Sequence, residues 1–311
     1  MEKRVIVVTG CTASGKGAVA RALARALEAE IVSVDSMKVY RRMDIGTAKP
    51  GSAECAERPH HLIDVVEPWE PFSSARFVEL AEAAIDGAHA RGRPVVAVGG
   101  TVLYLKCLLE GMFEGPSADP EFRAALRARA EREGAEKLHA ELAMVDPAAA
   151  ERIHHNDIRR IERALEVHHL TGRSITSLQQ QWGEARPRRP DWDWRWLGLR
   201  REKSEASRRI NARVLRMIEQ GLEAEARAIW EDPRGVSDQA RQAVGYAEWF
   251  DFFRRGGSRT DVVERIKINS RHLAKHQRTW LRRFSQVRWV DIADGQADTD
   301  ILSQARTALG D

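Results

Sequence analysis

Apolar residues follow two rhythms along this chain. Short, nearly continuous apolar runs at Val5–Val8, Ile31–Val34, His61–Val66, Pro94–Val98, Trp194–Leu199 and Val287–Asp291 read as strands. Between most of them the spacing is helical, as in AVARALARALEAE after the first run. Such alternation predicts an α/β fold built on a parallel sheet flanked by helices. From about residue 117 to 185 the strand signal stops, and PEFRAALRARAEREGAEKLHAEL and NDIRRIERALEVHHL are purely helical in pattern. The expected organisation is a core of residues 1–116 and 186–311 with an all-helical insertion at 117–185. Trp192, Trp194 and Trp196 alternate at strand period, which predicts a buried strand face. Near the end, Lys267, Arg271, Lys275, Arg278 and Arg282 recur every three or four residues, predicting one basic stripe on a helix, with Ile266, Leu273, Trp280 and Phe284 turned inward.

Composition narrows this picture. The 311 residues include three cysteines, Cys11, Cys55 and Cys107, with no C-x-x-C spacing, so neither a disulfide framework nor a zinc site is expected. No stretch approaches the roughly 20 apolar residues of a membrane span, and a cytoplasmic protein with no membrane partner is expected. The net charge is only +4, yet residues 186–290 hold 25 Lys and Arg against 14 Asp and Glu, leaving −7 elsewhere. A basic segment on a near-neutral chain suits a polyanion such as RNA or DNA, or is simply a solvated face.

The candidate chemistry begins with GCTASGKG at 10–17, set between the first strand and the first helix. G-x-x-x-x-G-K in that setting wraps backbone N–H groups around a phosphate, adds the positive end of a helix and supplies the Lys16 ammonium. The eighth position, where a Ser or Thr hydroxyl would ligate Mg²⁺, is Gly17. Asp35 follows the strand IVSV, at the sheet edge where ligands gather in open α/β folds. It reads as a cap, a metal ligand or a catalytic carboxylate. GGTVLYLKCLLEG at 99–111 offers close backbone approach at two glycines and the hydroxyl of Thr101. His154 and His155 have no third partner at metal-ligand spacing.

Taken in order, GCTASGKG, DSMKVYRRMDIGTAKP, HHLIDVVEP, GGTVLYLKCLLEG, NDIRRIERALEV, QAVGYAEW and KHQRTWLRRF resemble the tRNA dimethylallyltransferase (tRNA isopentenyltransferase) family over nearly the whole chain. The resemblance implies a P-loop NTPase-like fold and transfer of a dimethylallyl group from dimethylallyl diphosphate to the exocyclic amine of the adenosine 3′ of the anticodon. It implies Asp35 as general base, with Thr101 and Lys16 at the reacting groups. Gly10, Thr12, Ala13, Ser14, Gly15, Lys16, Gly17 and Arg213 would hold the diphosphate. Ser36, Met37, Lys38, Arg123, Arg159, Arg160, Arg163, Gln242 and Tyr246 would meet the tRNA anticodon stem-loop, and Lys275, Arg278 and Arg282 add the basic stripe. Mg²⁺ is the implied cofactor, and a monomer is expected.

The chain departs from the family pattern at Cys11 for Pro, Gly17 for Thr or Ser, Lys38 for Gln, Val102 for Gly and His155 for Pro. Two other readings stay open. A small-molecule kinase would share the phosphate loop, and a tRNA-binding relative with weakened catalysis would share the departures.

Overall fold

Strand β1 (Arg4–Gly10) reads RVIVVTG and is buried along all but its first residue, as a central parallel strand covered on both faces must be. Five more strands join it: β2 (Glu30–Val34), β3 (His60–His61), β4 (Val95–Gly99), β5 (Asp193–Arg201) and β6 (Arg288–Ile292). They form one sheet in the order β3-β2-β4-β1-β5-β6, parallel throughout. Register aligns Thr9 with Gly99 and Val34 with Gly99. The C-terminal ends of β1, β2 and β4 therefore deliver the phosphate loop, Asp35 and the Gly99-Gly100 turn to one edge. That edge is the ligand side of an open α/β sheet.

The computed structural model describes residues 3–113, 115–179 and 188–310. Two compact units emerge, Met1–Leu109 with Arg189–Asp311 and Glu110–Arg188. In the sheet unit, Ile6, Val8, Ile31, Leu197 and Val290 pack against Val19 and Leu23 of helix Lys16–Ala26 and Ile301 of helix Asp298–Leu309. The second unit contains helices Pro120–Glu133, Ala135–Val145, Pro147–Arg152, Ile158–Thr171 and Ile175–Leu178, with no strand among its described residues. Leu126, Leu138, Leu142, Ile161 and Val167 form its core. Asp119 caps the first helix by accepting from the N–H groups of Glu121 and Phe122, and Asp157 caps the fourth through Arg160 N–H.

Three expectations are corrected. The run His61–Val66 is not a strand: only His60–His61 pairs with β2. Leu62 and Asp64 adopt left-handed φ values of 61° and 55°, which turn the chain before Val66 meets Tyr40 in an isolated bridge. The tryptophan face is only partly a strand face. Trp192 precedes β5, and Trp194 is only half-buried, while Trp196 stacks on Phe284 at 5.2 Å. On helix Arg259–Leu281 the inward residues are Val262, Ile266, Ser270, Ala274 and Leu281, whereas Leu273 and Trp280 are 40% and 39% exposed.

Candidate active site

The phosphate loop owes its shape to Gly10. With φ at 150°, a Cβ there would lie 2.6 Å from the carbonyl oxygen of Leu199 on β5, so a larger residue would push β1 and β5 apart. Helix Lys16–Ala26 then starts from Gly15, left-handed and unable to cap it, with no acidic residue in the first turn. Its leading N–H groups are left for an external anion. Arg201 Nε and Arg209 Nε hold the loop from outside, donating to the carbonyls of Ser14 (3.0 Å) and Ala13 (3.1 Å).

The loop forms one wall of a cleft of about 520 Å³ within the sheet unit, lined also by Asp35, Met37, Lys38, Gly46, Ile63, Val98, Met217, Ile266 and Leu273. Charge in it is lopsided. Lys16, Lys38, Arg209, Arg213 and Arg216 face a single carboxylate among the described residues, that of Asp35, while Arg21 pairs with Glu54 at 2.7 Å. Burial is the largest influence on the three innermost cations and disfavours their charge. It brings Lys16 down to about 8, with Lys38 and Arg213 adding repulsion and Asp35 opposing. Lys38 and Arg213 are pushed below their ordinary values for the same first reason, again opposed by Asp35. Arg213 Nε is buried without a hydrogen-bond partner. Enclosed, mutually repelling cations with an unsatisfied donor are a surface prepared for a multiply charged anion.

Asp35 begins no helix, so the cap reading is only partly right. Its Oδ1 accepts the N–H groups of Met37 (2.9 Å) and Lys38 (3.3 Å), folding its own turn. Beside it, Thr101 Oγ1 accepts from Ser36 N–H at 3.1 Å, and Thr101 N–H donates to Val34 O at 3.4 Å. Gly99 allows this closeness, because a Cβ there would fall 1.9 Å from Val34 O. Apolar and cationic walls share one cleft with a carboxylate, so the arrangement can hold a polyanion, keep an apolar group beside it and take up a proton.

Of the residues singled out in the sequence, Thr12, Ala13, Gly15, Lys16, Gly17, Asp35, Met37, Lys38 and Arg213 line the cleft. Gly10 and Ser14 are buried beneath the loop. Lys275 and Arg282 are exposed and Arg278 half-exposed, all at the C-terminal end of helix Arg259–Leu281, while Ile266, Ser270, Leu273 and Gln277 of that helix line the cleft. Gln242 is exposed and donates to Asp238 O at 2.7 Å. Tyr246 is fully buried, its hydroxyl on Glu225. In the helical unit Arg123 and Arg163 both bind the buried Glu166, Arg160 pairs with Asp157 at 2.8 Å and Arg159 is exposed.

Sequence reasoning missed Arg209 and Arg216, although with Arg213 they stand at i, i+4 and i+7 of helix Lys203–Glu219 and so share a face. It also passed over Gln277. That side chain accepts from Thr12 N–H through Oε1 (2.8 Å) and donates from Nε2 to Gly100 O (3.0 Å).

Known proteins place the chain as a whole. The family model described as IPP transferase matches residues 38–284. The tRNA dimethylallyltransferase of Methylococcus capsulatus is 45% identical over 98% of this chain and 97% of its own, and that of Geobacillus thermodenitrificans 43% identical over 94% and 92%. Among solved structures, the full-length tRNA isopentenylpyrophosphate transferase of Bacillus halodurans superposes with a TM-score of 0.71 at 38% identity, covering 99% of this chain and 96% of that one. A eukaryotic dimethylallyltransferase acting on tRNA gives 0.82 at 26% identity, over 98% and 78%. The phosphate loop, the cationic cleft and these end-to-end likenesses converge, and the chain belongs to the IPP transferase family.

Proposed function

We propose that the protein prenylates tRNA, transferring a dimethylallyl group from dimethylallyl diphosphate to the exocyclic amine of the adenosine 3′ of the anticodon, in the cytoplasm. The observation that carries this reading is the cleft itself: five cations, besides the Glu54-paired Arg21, and one carboxylate around a phosphate loop, with apolar walls alongside. In the transfer, the amine nitrogen bonds to the allylic carbon, the carbon–oxygen bond breaks toward the diphosphate, and the amine proton passes to Asp35. Charge grows on the departing diphosphate. The open N–H groups of helix Lys16–Ala26, the Lys16 ammonium and the Arg213 guanidinium with its unsatisfied Nε are already placed to receive it, at no cost of reorganisation. Ile63, Val98 and Met217 offer the isoprenoid a dry surface. A target amine within an RNA loop must be extracted from its stack. Exposed Trp280, faced by Arg283 at 4.2 Å and flanked by Lys275, Arg278 and Arg282, combines aromatic and cationic groups in the way that suits unstacked bases.

Mg²⁺ is usually held by one or two carboxylates together with substrate phosphates. Here Asp35 is the only carboxylate on the cleft wall among the described residues, one of its oxygens accepts from two backbone amides, and Gly17 lacks the loop hydroxyl. Among the described residues no group of three His, Cys, Asp or Glu could hold a metal. Asp35 would be the one protein carboxylate to share a divalent ion with the diphosphate, and the loop would add no hydroxyl at Gly17, so the neutralisation described above rests chiefly on the chain's own cations.

The test is incubation with dimethylallyl diphosphate and unmodified tRNA, followed by nucleoside mass analysis. A dimethylallyl-adenosine traced to the position 3′ of the anticodon is expected. Bound but unmodified tRNA, or turnover of ATP on a small molecule instead, would reject the proposal.

A further inference from the structure

Two glycine-bearing turns meet at the cleft, the phosphate loop after β1 and the Gly99-Gly100 turn after β4. No backbone hydrogen bond within the sheet reaches as far as Thr12 or Gly100, since the β1–β4 ladder ends at Thr9 and Gly99. One side chain closes the gap. Gln277 Oε1 accepts from Thr12 N–H at 2.8 Å, and its Nε2 donates to Gly100 O at 3.0 Å. The fit is tight, because a Cβ on Gly100 would lie 2.7 Å from Nε2. A side-chain amide accepts at its oxygen and donates at its nitrogen, and glutamine has the length to reach both groups. Glu would set a carboxylate oxygen against the Gly100 carbonyl, and Met would leave both backbone groups unpaired.

The two turns hold different halves of the chemistry. Thr12 belongs to the loop that cradles the anion, while Gly100 leads directly into Thr101, which hydrogen-bonds to Ser36 beside Asp35. We infer that Gln277 is a positioning residue: it sets the phosphate loop, and with it the diphosphate, at a fixed place relative to the Asp35 turn, so that the allylic carbon and the base address the same amine. This rests on the prenyl-transfer reading above. Lys16 and Arg213 do not touch Gln277 through any described hydrogen bond, so loss of the bridge leaves the anion's main cationic partners in place. Alignment suffers more than affinity, and displacement on the order of 1 Å costs about 100-fold in rate.

The test compares wild type, Gln277→Met and Gln277→Glu in four measurements: single-turnover transfer at saturating tRNA and dimethylallyl diphosphate, calorimetric affinity for inorganic pyrophosphate, tRNA affinity, and melting temperature. Expected for Gln277→Met is a 10- to 100-fold slower single turnover, pyrophosphate and tRNA affinities within about threefold of wild type, and a melting temperature within a few degrees. Gln277→Glu, which keeps the acceptor but sets a second oxygen against Gly100 O, should be at least as slow, with a melting temperature lowered by no more than a few degrees. A normal single-turnover rate in Gln277→Met would overturn the assignment. So would a rate loss in both variants that follows a collapse in melting temperature or pyrophosphate affinity, since the bridge would then be a general structural tie. A wild-type protein that transfers nothing would instead overturn the prenyl-transfer reading, and the inference with it.

Discussion

The same residue type does opposite work in the two units. In the helical unit, Arg123 and Arg163 close on Glu166, whose side chain is 0% exposed, and Arg127 closes on Glu162 at 2.8 Å. Those guanidinium groups have their counter-charges inside the fold: Arg123 and Arg127 fasten helix Pro120–Glu133 to helix Ile158–Thr171, and Arg163 holds Glu166 from one turn away on its own helix. In the sheet unit, Arg213 is enclosed with an unsatisfied Nε, in the company of Lys16 and Lys38, and Asp35 is the main charge that opposes them. Burial without a matching carboxylate is costly, and a fold that keeps it needs a ligand to supply the missing charge. The contrast separates structural from functional arginines by their partners. Being arginine on a helix says little.

The largest effect should come from the single carboxylate. Asp35→Asn keeps the turn, because its side-chain oxygen can still accept from Met37 and Lys38, yet it removes basicity. Transfer should fall about 10²- to 10⁴-fold with tRNA affinity unchanged. Single-turnover kinetics would show it, and near-normal turnover would make Asp35 only a turn-former.

Next is a pH effect. Lys16, near 8 in the free protein, must be charged to hold a diphosphate, so pyrophosphate affinity should fall by up to about tenfold per pH unit above 8. The step should vanish in Lys16→Met, which controls for titration of the ligand. Stability should move the other way. The folded value lies below the ordinary 10.5, the unfolded chain binds more protons between them, and this group's contribution to stability therefore rises with pH across that window.

The fasteners should respond in stability alone. Glu166 accepts from Arg123 Nε and Nη2 at 2.7 Å each and from Asp119 N–H at 2.8 Å. Glu166→Gln should cost about 1–3 kcal/mol by thermal or urea unfolding, while pyrophosphate affinity stays at the wild-type value. Smallest of all is Gly17→Thr. A Cβ at this position meets only Arg21 Nη1, at 3.5 Å, so the hydroxyl has room. The helix should gain up to about 0.5 kcal/mol, and Mg²⁺ should strengthen pyrophosphate binding more than in wild type. Superimposable magnesium titrations would show that the loop has no use for that hydroxyl.

What the sequence revealed and what it hid divide along similar lines. The phosphate loop was legible because its chemistry is local: eight consecutive residues between a strand and a helix. β1, β2, β4 and β5 were legible because a sheet covered on both faces requires unbroken apolar runs. The strand expected at His61–Val66 failed on two left-handed residues that no apolar count registers. The exposure of Trp280 and of Leu273 on the cleft wall is not legible from helical spacing, because small Ser270 and Ala274 take the buried positions on this helix. The ion pair that occupies Arg123, which the resemblance assigns to the tRNA, is hidden because its partner stands 43 residues away. Gln277 was invisible for the same reason, with 265 residues separating it from Thr12. Long-range pairing of polar side chains leaves no periodicity to read.

The central claim is that unpaired, enclosed cations in the sheet unit bind a diphosphate and that the paired arginines of the helical unit do not. Calorimetric titration of inorganic pyrophosphate into wild type, Arg213→Met and Arg123→Met at one salt concentration tests it directly. The account predicts equal binding by wild type and Arg123→Met and at least about tenfold weaker binding by Arg213→Met, the size of one lost charge-assisted contact. Unchanged binding by Arg213→Met, or a loss in Arg123→Met as large as in Arg213→Met, would contradict it.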